Sequence, residues 1–120
     1  MILKLTLEEA LRGACWRFYE FQHERAAKGQ PINEPRDEFE YYAGVVTGLQ
    51  IAMQIKGLGD IAKRIEEDVQ RMIHRDPKLA EARLKPAWGA MIRDNTHFEI
   101  EYPYGEEVND EGNSEGQTDL

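Results

Sequence analysis

The chain has 120 residues, one cysteine and a formal net charge of −8. That length suits one domain with a modest core, and a lone Cys15 excludes both an internal disulfide and a cysteine-based zinc cluster. The charge is unevenly spread: Gly105 to Leu120 hold six acids and no base, which leaves 15 bases against 17 acids, or −2, on the remainder.

The chain opens on "MILKLTLEEALR", where Lys4, Glu8 and Glu9 leave no room for the apolar core of a signal peptide, so a cytoplasmic location is expected. Thr6 with Glu9 three residues on is a capping box, and it predicts a first helix from Thr6 to Ala27. Leu7, Leu11, Ala14, Phe18 and Phe21 form its core stripe, while Arg12, Trp16, Tyr19 and His23 run along a second face at heptad-like spacing.

Gly29, Pro31 and Pro35 break the chain, with Asn33 as the expected N-cap of a second helix reaching about Lys56. Its central stretch "YYAGVVTGLQIAMQI" carries no charge. At 15 residues, with Gln50 and Gln54 within it, it falls short of the roughly 20 apolar residues of a membrane span. Phe39, Tyr42, Val46, Leu49 and Met53 form one stripe, and Gly44, Gly48, Ile51 and Ile55 form another. Glycines one turn apart in a helix suggest a close approach by another backbone, from within the chain or from a second copy.

Gly57 suits a left-handed helix end, and Asp60 is the expected cap of a third helix running to Asp76. Leu58, Ile61, Ala62, Ile65, Val69, Met72 and Ile73 share one arc of it, opposite Lys63, Arg64, Glu67, Arg71 and His74, the pattern of an outer helix with one wet face. Asp76 and Pro77 open a fourth helix that Pro86 should kink or split. In "THFEIEYPYG" Phe98, Ile100 and Tyr102 alternate with Glu99 and Glu101, and pairing with "ILKL" would join the two ends in a short ribbon. The expected architecture is therefore mainly α: a bundle of about four helices over residues 1–104, a two-stranded ribbon from the ends, and a disordered acidic tail over 105–120.

Chemistry-bearing motifs are sparse. Glu20 and His23 have the Glu-x-x-His spacing of di-iron bundles, but the chain holds no second such pair on a helix interior. Glu20 and Glu24, with Glu34, Asp37 and Glu38 at the start of the second helix, resemble the clustered acids of the all-helical nucleotide pyrophosphohydrolases. That resemblance implies magnesium held against a polyphosphate. The chain departs from the family pattern, since Glu20 and Glu24 are four residues apart and Pro35 interrupts the Glu34 to Asp37 pair. Gly57-Leu-Gly59 follows a helix rather than a strand, so it reads as a stop and not as a phosphate loop. Lys56 to Arg93 holds nine bases against six acids, and with no reading helix and an acidic tail direct nucleic-acid binding is not expected.

No catalytic or metal-binding residue is assigned, and no cofactor is implied. The expected function is a non-enzymatic protein-interaction role of the adaptor, accessory or inhibitor kind found among phage proteins, exerted through an apolar helical face as a homo-oligomer. Arg12, Trp16, Tyr19, His23, Gly44, Gly48, Ile51 and Ile55 are its expected contact residues. A metal-dependent pyrophosphohydrolase-like enzyme using the acids of the first two helices is the alternative.

Overall fold

A computed structural model describes residues 3–93 and 98–101. The acidic tail and the Asp94 to His97 segment lie outside the described residues. The order is β1 (Leu3–Thr6), α1 (Leu7–Ala27), α2 (Arg36–Ile55), α3 (Gly59–Arg75), α4 (Pro77–Arg93) and β2 (Phe98–Glu101). The two ends do pair, as a parallel ribbon that aligns Leu3 with Phe98, Lys4 with Glu99 and Leu5 with Ile100.

Local signals set most boundaries. The Glu9 amide donates to Thr6 Oγ1 at 2.9 Å, and the Thr6 amide donates to Glu9 Oε1 at 3.0 Å, closing the expected capping box on α1. Gly57 ends α2 with φ of 77°. Asp76 caps α4 by accepting the Leu79 amide at 3.1 Å, with Pro77 in the first position where its missing N–H costs nothing.

Two expected caps are displaced. Asn33 does not cap α2; Pro35 occupies that position, and its carbonyl accepts the Phe39 amide at 3.0 Å. A residue before proline is held out of helical geometry, so Glu34 cannot begin a helix. Asp60 does not cap α3, because the Leu58 carbonyl already accepts the Ala62 amide at 3.0 Å and the helix begins at Gly59. Asp60 instead places its charge in the first turn, where it favours the helix dipole. Nor does Pro86 split α4. Ala82 and Pro86 are both exposed, so the Ala82 carbonyl that loses its partner faces water.

Packing is organised around α1, which touches all three other helices. Both of its apolar faces are consequently covered: Leu7, Leu11, Ala14, Cys15, Trp16 and Phe21 are all buried. α3 behaves as its pattern requires, with Ala62, Ile65, Val69 and Ile73 inward and its charged side wet. α2 contacts α1 and α3 but reaches α4 mainly through rings, Tyr42 and Tyr41 lying 5.7 and 6.3 Å from Trp88. A gap therefore opens between α2 and α4, with α1 as its floor.

Candidate functional site

The eight expected contact residues separate into two groups. On α1, Trp16 is only 4% exposed and belongs to the core of the single chain. Its buried indole N–H meets no acceptor among the described residues. Tyr19 is half-buried against α3, its hydroxyl donating to Glu66 Oε2 while Gln50 Nε2 donates to Glu66 Oε1 at 2.9 Å. One carboxylate thus ties α1, α2 and α3 together. Burial, and then the bond to Glu66, raise the Tyr19 pKa, so the phenol stays protonated as a donor. Arg12 lines a small groove with Arg71, Met72 and Leu79, and the exposed His23 ring lies 6.0 Å from that of His74. Because α3 and α4 flank α1, its second face serves this chain's own packing, with only its polar ends reaching solvent.

The α2 group is different. Ile51 and Ile55 are 50% and 78% exposed, and Tyr41, one step before Gly44, is 54% exposed. A Cβ placed on Gly44 or Gly48 would meet nothing within 4 Å. The close backbone approach expected at these glycines is made within the chain at Gly13 instead, where a Cβ would stand 2.7 Å from the Trp88 backbone nitrogen. Tyr41, Gly44, Gly48, Ile51 and Ile55 follow one another at alternating steps of three and four residues, the spacing of a coiled-coil seam. The row is apolar and largely exposed among the described residues, with the Tyr41 ring also meeting Trp88 at one end.

Beside this row lies the gap between α2 and α4, a cleft of about 670 Å³. Trp16, Tyr41, Tyr42 and Trp88 supply aromatic walls, and Ile92 lines it as well. Three carboxylates, Glu20, Glu24 and Glu81, face two cations, Arg17 and Lys85. Arg17 Nη1 donates to Glu20 Oε1 at 2.8 Å, and its Nη2 donates to Tyr42 Oη at 2.9 Å and lies 3.7 Å from Glu38 Oε2. Burial, then the neighbouring Glu24, raise the Glu20 pKa above the ordinary carboxylate value, and Arg17 opposes the shift.

These distances bear on the acids named for magnesium. A guanidinium already stands between Glu20 and Glu38, Glu24 lines the cleft, and Asp37 is exposed in the first turn of α2. Among the described residues no three His, Cys, Asp or Glu side chains converge as a metal-binding group. No helix among them is long and apolar enough to cross a membrane. The Cys15 thiol is buried and its pKa is pushed up to about 12, chiefly by that burial, which leaves it without thiolate character. The sequence displayed two apolar stripes on each of α1 and α2; it held no local signal for which helix would have three neighbours and which would be left with a bare row. Comparison with known protein families, with curated proteins and with solved structures finds no match to this chain.

Proposed function

We propose that this chain is a small non-enzymatic interaction protein of the cytoplasm, of the adaptor, accessory or inhibitor kind, that works through the apolar face of α2 as a homo-oligomer. The observation that carries this reading is the uncovered seam from Tyr41 to Ile55: large apolar side chains at half exposure or more, set around two glycines with open space above them. An isolated exposed leucine or isoleucine needs no explanation, whereas a continuous row along one helix marks a place where another molecule packs. Symmetric pairing is the commonest way for a soluble chain to cover such a row.

Sedimentation across a wide concentration range tests the reading. The wild type should shift from monomer to oligomer as concentration rises, and Ile51→Glu should remain monomeric with its helical circular dichroism intact, because Ile51 is half exposed in the single chain. A wild type that stays monomeric throughout contradicts it.

A further inference from the structure

We infer that the cleft between α2 and α4 is a binding site for a small free cation with a quaternary ammonium head, the chemical class of choline. Its rings and its charge point the same way. Tyr42 and Tyr41 are inclined to Trp88 by 80° and 70° at centroid distances of 5.7 and 6.3 Å, so the three form a corner of rings rather than a flat stack. Trp16 adds a fourth ring to the lining, and its buried indole N–H has no acceptor among the described residues. Ring faces carry the negative part of the aromatic quadrupole and attract a cation placed over them. The chain does this itself at the same wall, where the Arg17 guanidinium lies over the Tyr42 ring, 4.7 Å from its centroid.

Charge and size narrow the class. Glu20, Glu24 and Glu81 line the cleft against Arg17 and Lys85, and Glu38 also lies 3.7 Å from Arg17, so carboxylates are in excess. An anion would be repelled by that excess, and a neutral molecule would leave it uncompensated. Both cations are already engaged, Arg17 with Glu20 at 2.8 Å and Lys85 with Glu81 at 3.4 Å. A quaternary ammonium has no N–H to satisfy and draws its binding from charge and ring contact, which the cleft supplies. A metal ion needs converging ligands, and no such group exists among the described residues. The volume of about 670 Å³ leaves room beyond the head for a short hydroxyalkyl body along Trp16 and Ile92. A phosphate attached to that body, as in a lipid headgroup, would sit among the same carboxylates, which favours the free cation. The site shares only Tyr41 with the exposed row of α2 and stands whether or not that row self-associates.

Trp16 and Trp88 are the two tryptophans of the chain and both line the cleft, so the intrinsic fluorescence of the full chain reports its occupancy. Titration with choline chloride, against sodium chloride at equal ionic strength, should give a saturable change. The neutral isostere of choline, with a tert-butyl group in place of the trimethylammonium, should bind about tenfold more weakly, and so should phosphocholine. Glu24 and Tyr41 are both exposed, so variants there should keep the helical circular dichroism of the wild type. Glu24→Lys should weaken choline about tenfold and Tyr41→Ala roughly two- to fivefold. A flat choline titration overturns the site. An isostere that binds as tightly as choline overturns the cation class, and phosphocholine as tight as choline overturns the preference for the free cation. Choline binding undiminished in both variants places it outside this cleft and overturns the assignment.

Discussion

Glu20 sits 2.8 Å from Arg17 and still has a raised pKa, because burial and the adjacent Glu24 together outweigh the guanidinium. The folded chain therefore takes up this proton more readily than the unfolded chain does. Lowering the pH through the raised value stabilises the fold, and the gain is complete below the ordinary glutamate value of 4.5. Glu20→Gln carries no charge to bury, so it should melt above the wild type near neutral pH, with the difference closing as the pH falls toward 4.5. Parallel thermal melts across that range check it, and a gap independent of pH would point to a different cause. Tyr19 has the opposite character, since its hydroxyl is a donor that Glu66 uses. Tyr19→Phe leaves Glu66 Oε2 without that donor while Gln50 still holds the other oxygen. The expected loss is about 1 to 3 kcal/mol, read from urea denaturation.

Among the elements, three glycines that look alike in sequence divide by their surroundings. Gly13 lies where α1 crosses α4, so Gly13→Ala drives a methyl into the backbone of Ala87 and Trp88 and should cost about 1 to 3 kcal/mol. Gly44→Ala and Gly48→Ala meet open space in the single chain. Each should raise monomer stability by about 1 kcal/mol through helix propensity, and the measurement is a denaturant series at low protein concentration. Helix boundaries were legible wherever one residue decides them alone, as at Thr6 with Glu9, at Gly57, and at Asp76 with Pro77. They were misread at Asn33 and Asp60, where a neighbouring proline or an earlier carbonyl took the cap position. The inward stripe of α2 and the single arc of α3 were legible too, because a period of about 3.6 residues fixes which side chains share a face. Gly13 was not legible: its partners are more than seventy residues away in the chain, and no local pattern reports which helix will cross there.

At the scale of the whole molecule, periodicity gives the width of an apolar face but not the number of helices that will cover it. α1 has three neighbours and buries both faces; α2 lies at the edge and keeps one bare. A bare row that self-associates makes stability depend on concentration, because the folded dimer is favoured by mass action while the unfolded chain is not. Each tenfold rise in protein concentration should add about 1.4 kcal/mol per dimer, which moves the melting temperature upward by a few degrees. Ile55→Glu provides the contrast, since that side chain is 78% exposed and supports little within its own chain. Its melting temperature should match the wild type at low concentration and stay flat as concentration increases. Differential scanning calorimetry over a hundredfold range of both proteins measures this directly. If the wild type is as flat as Ile55→Glu, the α2 seam is not the surface through which copies of this chain associate.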